Sequence, residues 1–209
     1  MEHLQSRRDF LKTSAKVMAG VALVSAGRPL LSASAEAAAA PAYPFPYAHI
    51  DPDKAAERGY KGYYEKGGCA RGVADALIGQ LADDVGYPFN QIPIDMFANG
   101  ATGYGAGSLC GSLAGAVNMI GLVCLPDDAK KITQELFAWY RTAEMPIYQP
   151  NTKSITTVAG SVNCAESVDH YMEATGAKMG DTVRKERCAG VTGDTAKKTA
   201  ELLNAHFNV

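Results

Sequence analysis

The sequence feature that most restricts the fold is the segment CGSLAGAVNMIGLVC at residues 110–124. It is uncharged and built from small and apolar residues, and Gly111 and Gly115 lie four positions apart, on one face of a helix. Because glycine has no side chain, a second helix or a ligand can approach that face closely. In one helix, Cys110 and Cys124 would lie about 21 Å apart along the axis. A disulfide needs Cα atoms within roughly 7 Å, so the two are not partners.

Helical patterns dominate the chain from residue 53 onward. Helices are predicted over residues 52–68, 69–86, 89–100 (a short one), 110–124, 126–145, 161–176 and 194–207. No strand–helix alternation or repeat occurs. The sequence therefore predicts an all-α fold, a compact bundle of five to seven helices. It also predicts a glycine-rich loop at residues 100–108, with Ser108 as the N-cap of the helix that follows.

The first 39 residues are typical of a signal for twin-arginine export. Arg7 and Arg8 precede a mild apolar run and then the small residues of a cleavage site. The apolar run is too short to span about 30 Å of hydrocarbon, which disfavours a membrane anchor. We expect residues 1–39 to be removed, residues 40–52 to be an extended proline-rich lead-in, and residues 53–209 to form the helical domain, located in the periplasm or beyond.

The charge balance excludes two classes of partner. Cleavage after Ala39 leaves 15 basic and 19 acidic residues, a net charge of −4. This chain lacks the basic surface that nucleic acid requires, and it has no lysine-rich patch for a membrane. A stable membrane span in the mature chain is not expected either.

Four of the five cysteines share a local context. Cys69, Cys110, Cys164 and Cys188 each stand at or near a predicted helix start and are followed by Ala or Gly, whereas Cys124 ends a helix. Unpaired N–H groups at a helix start stabilise a thiolate, so we expect lowered thiol pKa values. Cys188 also follows the basic run RKER, whose charge would stabilise its thiolate further. We expect Cys110 and Cys188 to be the most reactive cysteines. Three explanations stay open for the set: structural disulfides, a redox or ligand site, and inert core residues.

Other signals are weaker. No CxxCH occurs, so covalent haem c is not expected, and no CxxC or close Cys/His cluster supports a zinc ribbon. His170, six residues after Cys164, is a candidate haem ligand, although a surface histidine is the commoner role. The glycine loop lacks GxGxxG spacing, and we find no Ser/His/Asp arrangement or phosphate loop that would indicate another enzyme class.

Four segments together resemble the C_GCAxxG_C_C family of redox-active proteins, and in particular its longer exported members related to split-Soret cytochromes c. They are GYYEKGGCARGVADALIG, GSLCGSLAGAVNMIGLV, GSVNCAES and RCAGVTGDTAKKTAELL. The family's four cysteines fall on Cys69, Cys110, Cys164 and Cys188. Residues 110–115 represent its glycine motif, with Ser112 where alanine is usual.

The resemblance implies a helical protein with a redox role, electron transfer in the cytochrome relatives, and pairing of subunits into a homodimer. We therefore expect an oxidoreductase or electron-transfer protein with a periplasmic redox partner. Its four cysteines would act as one site, for electron transfer or thiol/disulfide exchange, or as ligands to an iron–sulfur or haem-type centre beside Gly111, Gly115 and His170. The alternative is a non-enzymatic periplasmic binding or scaffold protein whose cysteines form structural disulfides.

Overall fold

The computed structural model describes residues 41–209. The expected export signal lies outside the described residues. Within them, the chain forms seven α-helices: α1 (Pro52–Gly62), α2 (Cys69–Ala74), α3 (Gln80–Asp84), α4 (Gly111–Val123), α5 (Pro126–Thr142), α6 (Cys164–Thr175) and α7 (Thr182–Phe207). The predicted all-α fold of five to seven helices is confirmed. The described part has one small sheet, in which β1 (Glu144–Met145) pairs antiparallel with β2 (Thr157–Val158).

The chain enters and leaves its first helices through local signals in the sequence. The Asp51 carboxylate caps α1 by accepting the N–H of Asp53 (3.0 Å) and the N–H of Lys54 (3.2 Å). A π-helical turn, Tyr63–Gly67, follows α1, and Gly68 at φ +117° redirects the chain into α2. A second π-helical segment, Asp75–Gly79, joins α2 to α3 in one helical stretch.

Glycines allow the central helices to pack closely. A Cβ on Gly115 of α4 would lie 2.6 Å from the carbonyl oxygen of Ala70 in α2. A Cβ on Gly193 of α7 would lie 2.7 Å from the carbonyl oxygen of Ala56 in α1. The predicted close approach to the glycine face of α4 is therefore confirmed, and α2 is the helix that approaches.

The core lies where α2, the segment after it, α4, α5 and α7 meet. Its largest fully buried apolar side chains are Phe89, Ile50, Leu77, Ile78, Leu81, Leu113, Met119, Ile120 and Leu136. Residues 41–51 form neither helix nor strand. They are held to the core by the Phe45 N–H, which donates to the Leu122 carbonyl (2.9 Å), and by Asn204, which bonds both backbone groups of Ile50.

Two local predictions are wrong. The last helix begins at Thr182, 12 residues before the predicted start at Asp194, because Arg, Lys and Glu at residues 184–187 favour helix. The helix continues through two interior glycines, Gly190 and Gly193. Each packs against the backbone of a neighbouring segment, and this packing offsets the low helix propensity of glycine. Ser108 does not cap α4, whose N-cap is Cys110; the Ser108 hydroxyl instead donates to the Gly103 carbonyl (2.9 Å).

Every helix within residues 41–209 is either too short or too polar to span a lipid bilayer.

Candidate functional site

Four cysteines from distant parts of the chain line one cavity of about 20 Å³. Its lining consists of Cys69, Cys110, Cys164 and Cys188 with Ser112, Tyr140, Ser167, Val168, Arg187 and Val191. Cys124, the remaining cysteine, is buried elsewhere and does not line the cavity. All five are free thiols in the structure. The four cysteines that the sequence separated from Cys124 are thus the four that the fold brings together.

Three of the four stand at helix starts, as predicted. Cys69 is the first residue of α2, Cys110 is the N-cap of α4, and Cys164 is the first residue of α6. Backbone hydrogen bonds hold the last two starts side by side: the Cys110 N–H donates to the Val162 carbonyl (2.8 Å), and the Cys164 N–H donates to the Ser108 carbonyl (2.6 Å). An antiparallel bridge joins the preceding residues of the two segments.

Cys188 differs from the prediction. It is the seventh residue of α7, two turns inside the helix, so the positive end of the helix does not reach it. The positive charge near Cys188 comes instead from arginine side chains. Arg184 Nη1 lies 3.6 Å from the Cys188 sulfur, and Arg187 also interacts with this thiol.

Two glycine positions let backbone and sulfur lie close together. A Cβ on Gly111 would overlap the Cys69 sulfur and lie 2.6 Å from the Gly100 carbonyl oxygen. A Cβ on Gly103 would lie 2.9 Å from the Cβ of Cys164. Gly103 lies inside the predicted glycine-rich loop of residues 100–108, and it begins a turn over Gly103–Gly107 that contains several residues of positive φ. Gly115 serves helix packing and is not part of the cavity lining.

The expected lowering of the thiol pKa is wrong for two of the cysteines. Burial, and then the charge of Cys110, raises the pKa of Cys69 far above its ordinary value. Burial and the neighbouring sulfurs raise the pKa of Cys164 to about 12. Removing a thiolate from water thus outweighs the partial charge of a helix start, which is worth only about 0.3–1 kcal/mol.

Three polar lining residues were not predicted as members of the site: Tyr140, Ser167 and Arg187. Arg187 Nη2 donates to the Ser167 hydroxyl (2.8 Å), which also hydrogen-bonds the Tyr140 hydroxyl (3.1 Å). Burial, and then the charge of Cys110, raises the pKa of Tyr140 well above its ordinary value. Spacing could have suggested Ser167, which follows Cys164 by three residues on the same helix face. Tyr140 matched an ordinary core position, and Arg187 was expected only as part of the basic run RKER that precedes Cys188.

Ser112, the residue that departs from the family pattern, also lines the cavity. Its hydroxyl hydrogen-bonds the Thr192 hydroxyl of α7 (3.2 Å). Both residues are buried. The serine therefore adds a polar link between the two helices that carry Cys110 and Cys188.

His170 is not brought to the cysteines. Its side chain is exposed, with Nδ1 3.2 Å from the Val158 carbonyl oxygen, and it does not line the cavity. A space of about 20 Å³ accommodates one small ion or a water molecule, so a haem does not fit between the four sulfurs.

The residues fit a small thiolate-bound group. Thiolates are the ligands of iron–sulfur centres, zinc and Cu(I). The adjoining buried Arg187 side chain has an Nε atom without a hydrogen-bond partner among the described residues. Within residues 41–209, no three Cys, His, Asp or Glu side chains already stand in metal-binding spacing. Holding an ion would therefore require the sulfurs to move into metal-binding spacing.

Comparison with known proteins agrees with the family resemblance of the four cysteine segments. A model of the family described as "Putative redox-active protein (C_GCAxxG_C_C)" matches residues 69–202. Split-Soret cytochrome c from Desulfovibrio desulfuricans is 30% identical over 168 residues, which are 76% of this chain and 60% of that protein's length. A solved structure reporting a novel iron centre in the same cytochrome aligns with a TM-score of 0.76 at 29% identity, over 78% of this chain and 72% of the other. The chain therefore belongs to the C_GCAxxG_C_C family of redox-active proteins and is related to split-Soret cytochrome c.

Proposed function

We propose that the protein is an exported electron-transfer protein whose single redox site is formed by Cys69, Cys110, Cys164 and Cys188. The observation that carries the proposal is the meeting of these four thiols on one small cavity beside a buried guanidinium. Four sulfurs from four separate helical segments have no reason to converge in an ordinary core, where any apolar side chain would serve.

The chemistry of the donors favours iron. Thiolates hold iron centres in proteins, and bound iron supplies one-electron transfer at a potential set by charge, hydrogen bonds and burial. Cys69, Cys110, Cys164 and Cys188 would be the ligands. The backbone N–H groups at the three helix starts would donate toward the sulfurs. The related cytochrome, reported with an iron centre, supports this choice.

The location follows from the N-terminus. Arg7–Arg8 and the apolar run after them suit the twin-arginine route, which carries folded proteins. A centre inserted in the cytoplasm would therefore reach the periplasm intact, where it would exchange electrons with a periplasmic partner. Because the chain spans 60% of the length of the related cytochrome, pairing into a dimer is not carried over with the site. Covalent haem is not proposed either, because no CxxCH occurs in the sequence.

The proposal is tested on the full chain expressed in a host with twin-arginine export. We expect purified protein to contain iron, to absorb visible light and to show a reversible one-electron couple. Cys110→Ser should lose most of the iron and the couple. Cys124→Ser is the matched control, because Cys124 is buried but outside the cavity, and it should keep both.

Three results would contradict this function in different ways. Colourless, iron-free protein with thiols that oxidise and reduce reversibly indicates thiol/disulfide exchange at the same sulfurs. Iron-free protein whose disulfides reduce only below about −300 mV indicates a scaffold with structural disulfides. Iron lost equally in Cys110→Ser and Cys124→Ser would place the site elsewhere.

A further inference from the structure

Arg187 is a buried cation without a carboxylate partner. Its side chain lies in the cavity lining and the residue is 2% exposed. Among the described residues no carboxylate oxygen lies within 4.0 Å of its guanidinium, in contrast to Arg58 and Arg71, which form ion pairs. Its Nε makes no hydrogen bond in the same part of the chain. A buried charge is costly unless it is paired, so the fold must gain from it in another way.

Neighbouring groups orient the guanidinium without neutralising it. Asp194, two turns later on α7, interacts with its charge, but the two Asp194 oxygens accept the backbone N–H groups of Ile147 (2.7 Å) and Tyr148 (2.8 Å). The Arg187 Cζ atom lies 5.9 Å from the centre of the Tyr171 ring. The bond from Nη2 to Ser167 then fixes the direction of the side chain.

The Arg187 side chain lines the same cavity as the four sulfurs. The neighbours whose charges act on it there are Cys188, Tyr140 and Cys110. Four protonated thiols carry no charge, whereas four thiolates around one divalent ion carry a net charge of −2. Loading the site therefore adds negative charge beside Arg187.

We propose that Arg187 is the built-in counter-charge of the four-cysteine site: it favours the loaded, anionic state of the site over the empty, neutral one. This inference rests on the proposed function and deepens it. No electron moves on loading; a divalent ion binds four sulfurs, and the thiol protons leave to solvent. In a centre that changes charge, the same cation favours the more reduced state, because that state is more negative.

The test uses Co²⁺ as the probe and the full chain, reduced and metal-free, at one fixed pH. Apparent affinity is measured by competition with a chelator, and the sulfur–cobalt absorption band shows that thiolates are the ligands. We expect Arg187→Gln, which keeps a polar group but loses the charge, to weaken binding at least tenfold. Arg187→Lys should recover most of the loss. Lys185→Gln, which removes an exposed charge from the same helix, should bind like the wild type.

Each outcome decides between separate claims. Arg187→Gln binding as tightly as the wild type, or Arg187→Lys binding as weakly as Arg187→Gln, overturns the counter-charge while leaving the cysteine site intact. A wild type that binds no Co²⁺ through sulfur overturns both this inference and the metal-holding function. If Arg187→Gln does not fold, Arg187→Met replaces it, since a buried apolar group of similar size is tolerated better than an unpaired polar one.

Discussion

Gly111 gives the most direct test of the site geometry, because it is the point where α4 meets the Cys69 sulfur. In Gly111→Ala, the new methyl group would overlap that sulfur and approach the Gly100 carbonyl oxygen to 2.6 Å. The sulfur can rotate away, but the carbonyl belongs to backbone and moves only with its segment. Overpacking of this kind costs about 1–3 kcal/mol. The gain from replacing a helical glycine is at most about 1 kcal/mol, and less at the first residue of a helix.

We therefore expect Gly111→Ala to lose roughly 1–2 kcal/mol of unfolding free energy, an overpacking cost only partly offset by helix propensity. For a chain of this size, that loss lowers Tm by roughly 2–8 °C. Gly121→Ala is the matched control on the same helix, because its Cβ would meet nothing within 4 Å. It should gain about 0.5–1 kcal/mol.

Circular dichroism melting of the reduced, metal-free chain measures both changes, and Co²⁺ competition shows whether Cys69 has left the cluster. The reasoning fails if Gly111→Ala is as stable as Gly121→Ala and binds Co²⁺ like the wild type. In that case the Cys69 sulfur and the Gly100 carbonyl would not lie against α4.

Three further predictions concern residues outside the four-cysteine site. Burial raises the pKa of Asp194 to about 6. The Asp194 carboxyl thus holds its proton more tightly in the folded protein than in the unfolded chain. The protonated carboxyl contributes its full share of the unfolding free energy below about pH 4, and this contribution is lost as the pH rises through 6. The difference in unfolding free energy between wild type and Asp194→Asn, from urea titrations, should fall by about 3 kcal/mol from pH 3.5 to 7, and a rise would contradict this. Asn204→Ala should cost about 2–4 kcal/mol in the same assay, because it removes two hydrogen bonds to the buried Ile50 backbone; a loss below about 1 kcal/mol would show that the lead-in is held otherwise. Burial and then Asp128 raise the pKa of Cys124 to about 11, so mass spectrometry should find it alkylated by iodoacetamide at pH 8 about 100-fold more slowly than a free cysteine.

The helices were predictable where local pattern and tertiary packing agree. Helix α5 begins at Pro126 with two aspartates in its first turn, and Ile132, Leu136 and Tyr140 are buried at helical spacing. The end of α6 at Gly176, with φ +73°, is equally local. Such helix starts and ends depend on only a few neighbouring residues, so they can be predicted from a single sequence.

The start of α7 and the thiol pKa values were not predictable in the same way. Gly190 and Gly193 look like helix breakers until the neighbouring backbone is known to need their space: a Cβ on Gly190 would lie 2.7 Å from the Tyr148 carbonyl oxygen. The position of a cysteine at a helix start predicts a favourable dipole. It does not predict burial, and burial is the larger effect for Cys69.

The sequence identified the four cysteines of the site but not the polar residues that surround their sulfurs. A cysteine at a helix start, followed by a small residue, is unusual enough locally for four such positions to stand out. Arg187 belongs to the basic run RKER, which predicted positive charge near Cys188. Only packing against α5 and α6 shows that its side chain is buried beside Ser167 and lines the cavity. A buried cation with no carboxylate oxygen within 4.0 Å among the described residues is retained at a cost to folding, and negative charge on the sulfurs of the same cavity would offset that cost.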